Sequence, residues 1–259
     1  FFLNEGIPEP GGLKAFLKDH KFWGLLDLSL TFEQGDNGPQ LSGTAYCKNM
    51  SEIFKGFPYR LDELIGRVNF TDKSAEMVNL YARHGDVDLG IEGLSRITPK
   101  GIRMRARIRS NNMRLSRDLY EALKPKQQKM WDMFSPSGTV AVDQVVTQSP
   151  EEGKKLDLKV ELLDVEASYR EFAYPFVNAT GTLLFDRDSV TVRNVRSVDG
   201  QKMIEVNGMV ENTDQPPADY NVTVVSQNIP LDASLEQALD KQQRRLYRKL
   251  KPQGVVDAN

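Results

Sequence analysis

Apolar residues occupy every second position in Leu26/Leu28/Leu30, Val68/Phe70, Val87/Leu89/Ile91 and Ile102/Met104/Ala106/Ile108, while neighbours such as Asp86, Asp88, Arg103 and Arg105 take the alternate positions. A period of two turns one set toward a core and the other toward water, so each run predicts a half-buried strand. The plan returns in Val140/Val142, Leu156/Leu158/Val160/Leu162, Leu183/Phe185, Ile204/Val206 and Val222/Val224. Segments rich in Gly, Pro, Asn and Asp (QGDNGP, RHGD, SPEEGKK, VDGQ, NTDQPP) separate the runs with turn chemistry. Two stretches follow a helical period instead: Leu115, Leu119, Ala122, Leu123, Met130 and Phe134, then Leu231, Leu235, Ala238, Leu239, Leu246 and Leu250. Each predicts one amphipathic helix stopped by Pro and then Gly. Pro125 predicts a kink or break in the first, and Lys241 at the matching position gives no such signal in the second.

The two helical stretches match at a constant offset of 116 residues, from Leu115/Leu231 through Trp131/Tyr247 to Gly138/Gly254. Upstream, FPYRLDELIGRVNF from Phe57 lines up with FAYPFVNATGTLLF from Phe172 at an offset of 115, pairing Tyr59/Tyr174, Gly66/Gly181 and Phe70/Phe185. A third, partial copy sets Gly24 in register with Gly138 and Gly254. Recurrence at this period marks a structural unit that is stacked. The frame predicts a unit over residues 24–137, a second over 138–253, the helical end of a preceding unit in 1–23 and the start of another in 254–259. The expected fold class is mainly β (α+β): tandem repeats of a curved antiparallel sheet, each closed by one amphipathic helix. About five strands span ~24 Å, and a helix covers only ~10 Å of that. The rest of the apolar face must be buried by curling, by a neighbouring unit, by a partner or by an apolar ligand.

Composition narrows the partners. With 259 residues, 34 Lys+Arg against 36 Asp+Glu leave a formal charge of -2, which gives no global attraction to nucleic acid or to an anionic bilayer. Cys47 is alone, so no internal disulfide or cysteine-based metal cluster can form within the chain. No apolar run of membrane-spanning length is present. The opening FFLNEGIPEPGG lacks both the order of a signal peptide and a starting Met, so the chain is expected to be an excerpt of a longer polypeptide.

The sequence carries no recognisable catalytic or metal-binding pattern. His20 and His84 have no zinc-like spacing, and no HExxH, GxSxG, GxGxxG or GxxxxGK[ST] motif occurs. Carboxylates such as Asp86, Asp88 and Glu92 sit on strand faces and loops, where solvation explains them. Neither a cofactor nor a metal is expected, and no enzyme. The row Arg103, Arg105, Arg107 and Arg109 would set four guanidiniums on one strand face, suited to phosphates of lipid or nucleic acid; it reads as an ordinary solvated face or, alternatively, as a local head-group or partner contact. Aromatic residues do not interleave with it as single-stranded nucleic acid would need. At an offset of 116 the row becomes Asp219, Asn221, Thr223 and Val225, so it is not a property of the repeated unit. Trp23, Trp131, Phe57, Tyr59, Phe172 and Tyr174 recur near unit boundaries, where aromatics pack one unit on the next.

The order of strand, FPYRLDELIGRVNF, Gly-containing strand VDLGIEG, further strand and amphipathic helix, echoed by FAYPFVNATGTLLF and IEVNG, resembles the AsmA-like proteins of bacterial envelopes, which belong with the repeating β-groove or bridge-like lipid-transfer proteins. The likeness covers Gly24 to Gly254. It implies a long curved sheet whose apolar concave face carries lipid acyl chains between membranes, in the periplasm of the cell envelope, as in outer-membrane biogenesis. Members usually carry an N-terminal membrane anchor; the sequence shows none, and membrane contact is expected through parts of the protein outside it. Candidate lining positions are Val68, Phe70, Leu89, Ile91, Met104, Ile108, Leu183, Phe185, Ile204, Val206, Val222 and Val224. The competing expectation is a structural module of closed, dry β-sandwich units whose outer faces hold other envelope proteins.

Overall fold

The computed structural model describes residues 20–35, 38–213 and 218–259, and in it the alternating segments are strands. Among the described residues the order is β1 (His20–Gly35), β2 (Gly38–Phe54), β3 (Phe57–Thr71), β4 (Ser74–His84), β5 (Val87–Thr98), β6 (Gly101–Arg114), α1 (Arg117–Ala122), α2 (Pro125–Phe134), β7 (Ser137–Ser149), β8 (Gly153–Tyr169), β9 (Phe172–Phe185), β10 (Val190–Asp199), β11 (Lys202–Glu211), β12 (Asp219–Pro230), α3 (Ala233–Ala238), α4 (Lys241–Leu250) and β13 (Val255–Ala258). The protein is mainly β. The strands form one open sheet in chain order, and each hairpin turn reverses the chain into antiparallel pairing. The helix expected over 1–23 falls mostly outside the described residues; its last four positions, His20–Trp23, open β1.

Packing divides the chain into two units, one of residues up to 111 with Asp143–Asp157, the other Asn112–Val142 with Leu158–Asn259. In the first, Met50, Leu64 and Ala82 are buried together against Phe22, Cys47 and Leu61. In the second, Tyr174, Ile204, Ile229 and Ala238 are buried with Phe176, Val206 and Leu235, which seats α3 on the sheet.

β-Bulges interrupt the strand period. Asn79 in β4 and Asn194 in β10 take φ of 49°, and Glu63 in β3 and Asn178 in β9 take 51° and 50°. These are pairs at the sequence offset of 115. Each bulge inserts a residue and moves the following side chains to the other parity. β4 therefore keeps Ala75 and Met77 on one face with Leu80 and Ala82 beyond the bulge. Gly66 and Gly181 lie beside these bulges with φ of 121° and 134°. A Cβ at Gly66 would meet the Asn79 carbonyl oxygen at 2.3 Å, and one at Gly181 the Asn194 carbonyl oxygen at 2.6 Å, so two strands approach there as only glycine permits.

The first helical stretch, expected to kink or break at Pro125, is a pair of helices, and the second, expected to run on through Lys241, is corrected to a pair as well. The first breaks at Pro125, as its ring demands; the second breaks at the same point without proline. Leu123 and Leu239, at the two breaks, are both extended. In the second, the Asp240 carboxylate accepts from the Gln242 and Gln243 backbone N–H at 2.7 and 2.8 Å, and the Gln243 side chain accepts from the Asp240 N–H. A capping box thus starts a new helix where hydrophobic spacing alone reads as continuous.

Candidate functional site: an apolar sheet face

Residues directly opposite in antiparallel strands project to the same side, so the registers define rows across the sheet. In the first unit one row runs Leu28, Ala45, Val68, Met77, Gly93, Ala106, and the next runs Leu30, Gly43, Phe70, Ala75, Ser95, Met104. The opposite face carries Ser29, Thr44, Asn69, Glu76, Leu94 and Arg105 in the same register. In the second unit the rows are Val160, Leu183, Val192, Gly208, Val222 and Leu158, Phe185, Val190, Val210, Tyr220. A further row joins Val195, Val206 and Val224.

Each unit's apolar face has a covered end and an uncovered end. Leu64 and Ala82 at one end of the first unit are 2% exposed, whereas Leu28 and Phe32 at the other are 53% and 57% exposed. In the second unit Tyr174 and Ile204 are buried near α3, whereas Val222 and Val224 are 40% and 47% exposed. Small residues keep the uncovered part shallow. The Phe70 ring lies over Gly43, where a Cβ would meet it at 2.7 Å, and the Met77 methyl lies as close over Gly93.

The twelve lining candidates fall on these faces in unequal states. Val68, Ile91, Met104, Ile108, Leu183, Phe185 and Val206 are half-buried, and Val222 and Val224 are exposed. Phe70, Leu89 and Ile204 are buried, and Ile204 belongs to the α3-covered cluster. Leu26, Leu28 and Leu30 were legible as a strand and not as lining; their exposure adds them together with Phe32, as register adds Met77, Val190, Val192 and Val210.

The arginine row lies on the other side of β6 from Met104 and Ile108. Arg107 donates through Nε to Asp143 at 2.8 Å, Arg103 donates to Glu151 at 2.6 Å, and Arg109 stands 3.5 Å from Glu92. These contacts neutralise charge on that face and hold neighbouring strands. The Asp62 carboxyl is held below its usual range, first by the Ser51 hydroxyl that donates to it. Burial on the apolar side pushes the Cys47 thiol up.

Both histidines have structural contacts: His20 with the Glu52 carboxylate and the Phe54 ring, His84 with the Arg60 carbonyl at 2.8 Å and the Tyr59 ring. Among the described residues no three His, Cys, Asp or Glu side chains gather as metal ligands, and no helix is long and apolar enough to cross a membrane. A shallow cleft of about 350 Å³ between α1 and α2 is lined by Arg117, Tyr120, Trp131 and Asp132, with the Tyr120 hydroxyl donating to Asp132 at 3.4 Å. Its polar groups are turned on one another. No family model, curated protein or solved structure matches the chain.

Proposed function

We propose that this chain is a non-enzymatic, AsmA-like segment of a bacterial envelope protein, periplasmic in location, whose apolar sheet faces bind lipid acyl chains and conduct them between membranes. The observation that carries the reading is the uncovered end of each face, where continuous rows of Leu, Val, Met and Phe stand half-exposed on a single layer of strands. Leaving such rows in water costs about 25 cal/mol per Å² of apolar surface, and a flexible acyl chain covers them without needing polar partners. In the same reading the chain is a tandem repeat of a six-stranded unit followed by a helix pair. Recurrence at 115 to 116 residues in bulges (Glu63/Asn178, Asn79/Asn194) and in left-handed helix ends (Ser135/Lys251) supports that.

The second reading, a scaffold module with dry interiors that holds other envelope proteins, is favoured by the buried clusters at the covered ends. Mass spectrometry of organic extracts from the gently purified chain separates the two. The lipid reading expects near-stoichiometric lipid in the wild type and loss of it in the double variant Leu28→Asp/Val222→Asp, with circular dichroism unchanged. These sites are exposed, so the substitutions spare the core; Phe70 and Leu89 are buried and would not. Lipid at the level of a soluble control protein favours the scaffold.

A further inference from the structure

The helix α4 presents a second surface with no role in the sheet face. Its sequence KQQRRLYRKL, followed by Lys251, holds six basic residues and no acidic one. Two of the six are engaged by α3. Arg244 donates to the backbone carbonyls of Glu236, Gln237 and Leu239 at the end of α3, and Arg248 donates to the Glu236 carboxylate at 2.6 Å. Tyr247 is turned the same way, its hydroxyl donating to the Asp232 carbonyl at 3.3 Å. Helical periodicity therefore sends Lys241, Arg245 and Lys249 outward in one row, with Leu246 and Leu250 in the adjoining row. Leu246 and Leu250 are 57% and 67% exposed. Among the described residues, Lys241, Arg245 and Lys249 have no carboxylate partner.

We propose that α4 is a docking helix for the surface of an anionic phospholipid bilayer, lying in the interface plane. The three cations face the lipid phosphates, and Leu246 and Leu250 enter the boundary between head groups and acyl chains. The charge is local: the whole chain is at -2, and where the other basic element, β6, has Arg103, Arg107 and Arg109 beside carboxylates, the outward row of α4 has none. Nucleic acid is a poorer fit, because the single aromatic ring of the helix is held inward. The matching helix α2 has the apolar pair Met130 and Phe134, but Asp132 and Met133 stand where α4 has Arg248 and Lys249. The charge that singles out an anionic surface belongs to α4. Docking is independent of whether the sheet face holds lipid.

Vesicle flotation of the whole 259-residue chain tests this. The chain is expected to float with phosphatidylcholine vesicles containing about one third phosphatidylglycerol, to stay behind with pure phosphatidylcholine, and to detach in high salt. The triple variant K241Q/R245Q/K249Q should bind about a hundredfold more weakly, roughly fivefold per charge, while K241R/K249R binds as the wild type. The variant Leu28→Asp/Val222→Asp should float unchanged, which separates docking from lipid carriage. Failure of the wild type to float with anionic vesicles, equal binding to both vesicle types, or undiminished binding of the triple variant overturns the proposal. Retention of the triple variant's binding defect toward an acidic protein column, with no vesicle binding by the wild type, would instead assign the patch to an acidic protein.

Discussion

At the scale of single residues, the fold depends on a few backbone conformations that ordinary side chains resist. Gly66 and Gly181 combine positive φ with a neighbouring carbonyl oxygen closer than any Cβ could tolerate. Gly66→Ala and Gly181→Ala are expected to cost about 2–4 kcal/mol each in urea unfolding, because strain and collision add. Gly85→Ala, at φ 59° in a hairpin with open space around it, should cost only about 1 kcal/mol. Equal losses at the three sites would mean that the close approach of the strands plays no part. Glu63 shows the cost the chain accepts elsewhere: it takes the left-handed conformation that Asn178 takes one offset later, where asparagine fits better.

At the scale of elements, much was legible and the failures have physical causes. The strands β1, β5, β6, β8, β11 and β12 announce themselves because apolar residues alternate through much of their length, whereas β3, β7 and β9 show only the short pairs Val68/Phe70, Val140/Val142 and Leu183/Phe185. β2 hides because its inward residues are small, Gly43, Ala45 and Cys47, so hydrophobic contrast is weak. β4 and β10 hide because Asn79 and Asn194 each slip the period by one, and a left-handed asparagine leaves no mark in a count of apolar residues. The arginine row was correctly placed on one strand face, but its carboxylate partners Glu92, Asp143 and Glu151 come from other segments, invisible to local spacing. The second helix break was missed for the same kind of reason: a cap, rather than a proline, ends one helix and begins the next. Asp240→Ala should cost about 1 kcal/mol, whereas Lys124→Asp at the matching position, where the N-cap side chain offers no acceptor to the first turn of α2, should gain a similar amount. Thermal melts of the two variants check the pair, and shifts of the same sign would count against the capping account.

At the scale of the whole molecule, the defining property is the division of each apolar face into a covered and an uncovered part. Hydrophobic pattern predicts that a face exists; it cannot say how much of it the chain itself covers, since coverage depends on where α3 and the long side chains over Gly43 and Gly93 come to rest. The function proposed for the chain depends on that uncovered part. Neighbouring residues on one strand test it most directly, because they differ in face and in little else. A photo-crosslinking amino acid placed at Leu28 or Val224 reports on the apolar side, and the same residue at Ser29 or Thr223 reports on the other. Irradiation in cells followed by mass spectrometry should yield lipid adducts at Leu28 and Val224 and none at Ser29 and Thr223. Adducts at all four positions alike, or protein adducts and no lipid at Leu28 and Val224, would contradict the account.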